Sequence, residues 1–230
     1  PPRDDRARRI KLVHPVKPLA DCRLYAFVDS AYLHDRTPAD LTRQLCDGGA
    51  DLIQLRAKDW PEVKIRQTAE TILPITRAAG IPLVINDHWQ LACDLGAEIC
   101  HLGQEDYFES SDESQAASYQ PALGLSTHSP EQAIRAMETN AAYLAIGPIF
   151  PTPTKPGRPG VTLDYVRWAA ANVVRPWFAI GGITLENIDS VLEAGARRIC
   201  VVSAILNAPD VARACQQFHK HLASVSLQKS

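Results

Sequence analysis

Residues 53–58 read Ile53-Gln54-Leu55-Arg56-Ala57-Lys58, and apolar and polar side chains alternate through all six. With the two-residue period of a strand, Ile53, Leu55 and Ala57 take one face and Gln54, Arg56 and Lys58 the other. An amide and two cations on one face at a strand end call for an anion. A guanidinium beside an ammonium suits a phosphate or diphosphate. The competing reading is that Arg56 and Lys58 lie past the strand end and are held only by water.

Two further apolar runs end in carboxylates. Ile85-Asn86-Asp87 closes one, and His101-Leu102-Gly103-Gln104-Glu105-Asp106 ends the next. On adjacent strands, about 4.8 Å apart, Asp87 and Asp106 would approach one ion. Hard oxygens without a thiolate or imidazole cage suit Mg²⁺, which is often shared with substrate phosphates. Asp87 also precedes a helix, where it would serve as an N-cap. His101, inside a strand, reads as a packed or hydrogen-bonding residue rather than a ligand; His88, at a helix start, is open to both readings.

The elements that must position these groups are legible as apolar runs alternating with amphipathic stretches. The strands are Leu24–Val28, Leu52–Leu55, Leu83–Ile85, Ile99–Leu102, Ala122–Leu125, Tyr143–Ile146, Trp177–Ile180 and Ile199–Val202. Helices are expected over 38–47, 61–79, 88–95, 130–139, 162–173, 185–194 and 208–222, with a poor one at 112–119. Such alternation argues for βαβ units and a parallel sheet. A weak repeat sharpens this: Gly49-Ala50, Gly96-Ala97, Asn140-Ala141 and Gly195-Ala196 recur at intervals of 47, 44 and 55 residues. Gly or Asn there supplies the left-handed residue that ends a helix. Each interval holds two strand–helix pairs, and with one pair before Gly49 and one after Gly195 the chain holds eight, the count of a single-domain TIM (β/α)8 barrel. A doubly wound sheet would show a Gly-rich turn after its first strand, and Asp29-Ser30-Ala31-Tyr32 is not one. Thr37-Pro38 and Ser129-Pro130 mark helix starts, and Ser129 with Gln132 fits a capping box.

In a barrel the helices cover the Ile53, Leu55, Ala57 face. Gln54, Arg56 and Lys58 then point inward near the mouth, where branched apolar filling is the rule. Ser126, at the end of the fifth strand, offers a hydroxyl at the same mouth. It lies in no G-x-S-x-G elbow, so a Ser/His/Asp triad is rejected. A proline-punctuated loop, 147–160, follows the sixth strand and carries Thr152, Thr154 and Lys155, two hydroxyls and a cation. A long loop there reads as a lid or binding loop. Gly181-Gly182 after the seventh strand and Val202-Ser203 after the eighth stand where barrels bind phosphate through backbone N–H groups. Two anion sites imply two phosphorylated substrates or one bisphosphate.

Composition narrows the class. A net charge of −2 argues against a nucleic-acid binder. With 46% hydrophobic and 22% charged residues the chain reads as an ordinary globular protein. No apolar run reaches the length of a membrane span. The six cysteines form no C-x-x-C and read as free thiols of a reducing cytoplasm. Residues 1–21 read as a basic, proline-broken and partly disordered extension with no secretory signal, ahead of a catalytic domain over 22–225. A start at Pro1 fits a processed form or a piece of a longer protein.

The ordered set Gln54-Leu-Arg-Ala-Lys58, Ile85-Asn-Asp87, His101-Leu-Gly-Gln-Glu-Asp106, Gly124-Leu-Ser-Thr-His128, Gly147-Pro-Ile-Phe-Pro-Thr-Pro-Thr-Lys155, Ala179-Ile-Gly-Gly-Ile183 and Val201-Val-Ser-Ala-Ile205 resembles the thiamin phosphate synthase family over about residues 22–222. The resemblance implies a TIM barrel that joins 4-amino-5-hydroxymethyl-2-methylpyrimidine diphosphate to 4-methyl-5-(2-phosphoethyl)thiazole, giving thiamin phosphate and diphosphate. It implies that Gln54, Arg56, Lys58 and Asn86 bind the pyrimidine diphosphate, and that Asp87 and Asp106 hold Mg²⁺. Thr152, Thr154, Gly182, Val202 and Ser203 would hold the thiazole phosphate. Lys155 would contact the leaving diphosphate, and Ser126 would lie near the reacting centre. By the same resemblance the pyrimidine ionises first, and the attacking thiazole nitrogen has no proton to lose. The alternatives are a thiazole tautomerase, which lacks much of the diphosphate and metal set, and a non-catalytic phosphate sensor, which needs no leaving-group stabilisation. An isomerase would want an acid/base pair at the strand ends. Oligomeric state is not legible in the sequence.

Overall fold

Strands that are apolar on both faces must be covered on both, and crossover helices with short connections bring each next strand in parallel. The computed structural model describes residues 15–109, 120–151, 160–223 and 225. Its strands are β1 (Leu24–Asp29), β2 (Leu52–Arg56), β3 (Leu83–Asn86), β4 (Ile99–Leu102), β5 (Ala122–Thr127), β6 (Tyr143–Ile146), β7 (Trp177–Ile180) and β8 (Ile199–Cys200). All neighbours are parallel, and β1 pairs with β8, so the sheet closes in chain order. The chain folds as the expected single (β/α)8 barrel.

The surrounding helices are α1 (Pro38–Asp47), α2 (Glu62–Ala78), α3 (Trp89–Leu95), α4 (Gln104–Glu109), α5 (Pro130–Met137), α6 (Thr162–Asn172), α7 (Ile188–Glu193), α8 (Ser203–Leu206) and α9 (Val211–Ala223). The helix expected at 112–119 lies outside the described residues, and α4, over 104–109, was not anticipated. The four-residue α8 was not anticipated and shortens β8 at its C-terminal end. Thr37 caps α1 by accepting from the Asp40 N–H, and Ser129 caps α5 by accepting from the Gln132 N–H. The capping box is displaced by one residue, because the Gln132 side chain accepts from the His128 N–H at 2.7 Å. Gly49, Gly96 and Gly195 take the expected positive φ, of 81°, 63° and 109°. Asn140 does not; the chain leaves α5 through Thr139, whose Oγ1 donates to the Ala136 carbonyl and accepts from the Ala141 N–H.

Two features decide what the barrel can hold. At the bottom, Asp51 is buried before β2 and accepts from the Arg23 and Leu24 N–H groups at 2.8 and 2.9 Å. Lys17 pairs with its other oxygen, which ties residues 15–21 to this end of the barrel. In the interior, aromatic rings replace the branched apolar filling expected. Tyr25, Tyr143 and Phe178 meet edge to face with centroids 5.4–5.9 Å apart, and Phe27 stacks on Tyr25 at 5.1 Å. Each such pair adds about 0.5–1.5 kcal/mol to the burial itself. The Tyr143 ring fills the space beside Gly124, where any Cβ would overlap it.

Gly124→Ala is therefore expected to cost about 1–3 kcal/mol or more through overpacking, read as a lowered thermal midpoint. Burial also pushes thiols up: Cys46 to about 11, and Cys22 and Cys215 to about 12, from 9.0. The folded chain keeps these groups protonated while the unfolded chain ionises. The stability involved is complete below pH 9.0 and is lost as pH climbs toward 12. Denaturation midpoints should thus fall between about pH 9 and pH 12, and fall less steeply in a Cys46→Ala/Cys215→Ala variant.

Candidate active site

The site is built at the C-terminal ends of the strands, where the backbone register sets which side chains face each other. Asp29 and Arg56, the last residues of β1 and β2, are register partners. Arg56 Nη1 donates to Asp29 Oδ2 at 2.7 Å, with the Asp29 side chain 0% and the Arg56 side chain 14% exposed. The other Asp29 oxygen accepts from the Ala31 N–H at 3.0 Å and caps the 3-10 turn Ser30–Tyr32. The expectation that both cations wait for an outside anion is therefore corrected for Arg56: the protein supplies one. Lys58 stands two residues past β2, half exposed, with Nζ 3.7 Å from Asp87 Oδ2.

Asp87 has a φ of 65°, a left-handed conformation that a non-glycine residue takes at a cost of about 1–3 kcal/mol. Its N–H donates to the His101 carbonyl at 2.9 Å. It is not the helix cap: His88 holds the N-cap position of α3, with no side-chain capping bond. The Asp87 carboxylate turns instead to Lys58. His88 pairs with Glu62 at 3.7 Å. Asp106 sits in the first turn of α4, where a carboxylate is favoured by the helix dipole, and folds back over Gly103.

His101 faces inward from β4. Its Nδ1 lies 2.9 Å from Tyr143 Oη, and its Nε2 lies 2.9 Å from Ser126 Oγ. Tyr143 Oη lies 2.9 Å from Tyr25 Oη, which accepts from Gln54 Nε2. Five side chains from β1, β2, β4, β5 and β6 thus make one hydrogen-bonded row across the barrel. Reading His101 as a hydrogen-bonding residue agrees with this.

Over β7, Gly181 and Gly182 have φ of 105° and 64°. The chain leaving β6 lies directly on them: Ile149 N–H donates to the Ile180 carbonyl and Phe150 N–H to the Gly181 carbonyl, at 2.9 and 3.1 Å. A Cβ on Gly182 would come within 2.7 Å of the Phe150 Cβ. These glycines therefore seat the start of the loop as well as opening the backbone to the mouth. Val202 is the N-cap residue of α8, and Ser203 is its first residue.

One cavity collects these residues. It encloses about 980 Å³ of empty space, part of it open at the mouth. Gln54, Arg56, Lys58, Asn86, Asp87 and Asp106 line one side, and Ser126, Gly182, Val202 and Ser203 also line it. Thr152, Thr154 and Lys155 lie outside the described residues. Sequence reasoning missed Asp29, Tyr25 and Tyr143. The two tyrosines sit in runs read only as apolar strands, and Asp29 was read only as the start of a loop. The available signal was the two-residue period of β1, which puts Tyr25, Phe27 and Asp29 on one face, with Phe27 and Asp29 in register with Gln54 and Arg56 of β2.

Removing Asp29 strands a nearly buried guanidinium. Asp29→Ala is expected to cost about 3–5 kcal/mol, whereas Asp29→Ala with Arg56→Met should recover part of that stability while losing activity. Urea midpoints of both variants check this.

The sequence model of the family described as thiamine monophosphate synthase matches residues 24–205. A thiamine-phosphate synthase of Thermus thermophilus is 48% identical over 188 residues, covering 81% of this chain and 90% of its own. One from Acidothermus cellulolyticus is 44% identical over 210 residues, covering 90% and 98%. Among solved structures, thiamine phosphate pyrophosphorylase from Pyrococcus furiosus superposes with a TM-score of 0.76 at 26% identity, over 90% of this chain and 98% of that one. With the barrel, the cavity and the ordered motifs in agreement, the chain belongs to the thiamine monophosphate synthase family and is an enzyme.

Proposed function

We propose that the cavity carries out the family's condensation with a division of labour between its two sides. The pyrimidine diphosphate lies along β2 and β3, against Gln54, Arg56, Lys58 and Asn86. The thiazole phosphate lies over β7 and β8, against Gly182, Val202 and Ser203, with Thr152 and Thr154 from the loop. Arg56, Lys58 and Lys155 stabilise the departing diphosphate. Ser126 stands between the two sides, near the reacting centre. No residue is required as a strong base, because the attacking thiazole nitrogen has no proton to lose. In keeping with that, both ring nitrogens of His101 are engaged within the barrel, by Tyr143 and Ser126.

The observation that carries this reading is the balance of charge in the cavity. Arg56 and Lys58 line it together with Asp87 and Asp106, and Asp29 stands behind Arg56. Among the described residues the cations are already matched by carboxylates. A diphosphate would meet little net attraction unless the carboxylates were engaged by a divalent cation. Asp87 and Asp106 fit Mg²⁺, which takes one or two carboxylates and completes its shell with water and phosphate oxygens. When bound there it would neutralise charge on the leaving diphosphate. Lys58, released from Asp87, would be turned toward the same phosphates. The remaining work is alignment of two bound substrates and electrostatic stabilisation of the leaving group. The six unpaired thiols support placement in a reducing cytoplasm.

Diphosphate release by the purified chain should require Mg²⁺ and both substrates, with thiamine phosphate identified by mass. Asp87→Asn and Asp106→Asn should raise the Mg²⁺ concentration needed for half-maximal rate. They and Lys155→Ala should lower turnover about 10²–10³-fold while the proteins stay folded. Tight binding of the thiazole phosphate with no diphosphate release would overturn this reading.

A further inference from the structure

The row of hydrogen bonds through the barrel has two ends of different character. Gln54 begins it on β2 with an amide N–H that donates to Tyr25 Oη. Ser126 ends it on β5 at the cavity wall. Between them Tyr25 and Tyr143 are fully buried, and burial raises both phenols well above their ordinary value, so each keeps one proton to give.

Proton counting then gives the row a direction. Tyr25 Oη has Gln54 and Tyr143 as its hydrogen-bond partners among the described residues. Because it accepts from Gln54, its own proton goes to Tyr143. The Tyr143 proton then goes to His101 Nδ1, which must be unprotonated. His101 carries its proton on Nε2 and donates it to Ser126 Oγ. The serine oxygen, having accepted, has its own proton left for the cavity. The opposite direction would give Tyr25 two donors, Gln54 and Tyr143, and leave its own buried proton unpaired along the row, a costly arrangement. Packing holds the geometry: the His101 and Tyr143 rings stack at 5.6 Å, and Gln104 Nε2 donates to the Ser126 carbonyl at 2.9 Å.

We propose that Tyr25, Tyr143 and His101 are positioning residues that fix His101 as the Nε2–H tautomer and present Ser126 to the substrate as a hydrogen-bond donor. Ser126 then recognises a lone-pair acceptor on the substrate, a ring nitrogen or an oxygen, and not an amino group. This rests on the placement of the pyrimidine diphosphate proposed above and adds to it the side chains that orient the serine.

The tautomer is read directly from two-bond ¹H–¹⁵N correlations of the full chain labelled with ¹⁵N-histidine. His101 is identified by the signal that His101→Gln removes or, should that variant not fold, by the one that Tyr143→Phe shifts most. The expected pattern is a protonated Nε2 and an unprotonated Nδ1. In Tyr143→Phe the tautomers should mix, and kcat should fall about tenfold with KM for the thiazole phosphate unchanged. In a Ser126→Ala background the same change should cost no more than about a factor of two, because the row acts through the serine. A Nδ1–H tautomer in the parent protein would overturn the proposal, as would Tyr143→Phe losses that multiply with those of Ser126→Ala. A chain with the expected tautomer but no diphosphate release would instead overturn the functional reading and leave the direction of the row standing.

Discussion

The Tyr143 ring, seated in the space left by the missing Cβ of Gly124, is the contact on which the inner barrel depends. A closed eight-stranded barrel has just enough interior for side chains to fill it. Here that interior is filled by rings that carry polar edges. Tyr25 and Tyr143 pack edge to face against Phe178 as apolar bodies and still meet each other through their hydroxyls. A leucine or isoleucine core would fill the same volume but would offer His101 and Gln54 nothing to bond. The aromatic choice therefore lets polar side chains reach inward from β2, β4 and β5 without leaving unpaired groups in a dry core.

Above that floor, electrostatics take over from packing. Arg56 is nearly buried, and a guanidinium so placed needs a carboxylate; the in-register neighbour Asp29 provides one and is itself held by the Ala31 N–H. Lys58 and Asp87 form a looser, more exposed pair at 3.7 Å. Exposed pairs of that kind are worth at most about 1 kcal/mol, so they exchange partners readily when a ligand arrives. The tight pair keeps the guanidinium in place and the loose pair can open. The strained φ of Asp87, with its N–H on the His101 carbonyl, aims the carboxylate at the mouth instead of at the start of α3.

At the opposite end of the barrel, polar groups serve the fold alone. Asp51 gathers the Arg23 and Leu24 N–H groups and Lys17, closing the bottom where β1 begins. The division follows from parallel strands: all C-terminal ends, and the loops that leave them, gather on one face. Groups before the strands are then free to be purely structural.

The eight strands and their order, most of the helices between them, the caps at Thr37 and Ser129 and the inward face of Gln54, Arg56 and Lys58 were legible in the sequence. Each is a local pattern: a period of two, a hydroxyl before proline, a recurrent glycine. The ordered motifs carried the family as well. What the sequence left open were relations across strands. The period of β1 puts Tyr25 and Asp29 on one face but does not name Arg56 as the partner of Asp29, and nothing near Gly124 marks it as the seat of Tyr143. Asn140 looked like its glycine counterparts, but a threonine beside it could satisfy the chain end by other means. Local periodicity determines which face a side chain takes. Only closure of the barrel determines which side chain it meets there, because register joins residues that lie tens of positions apart.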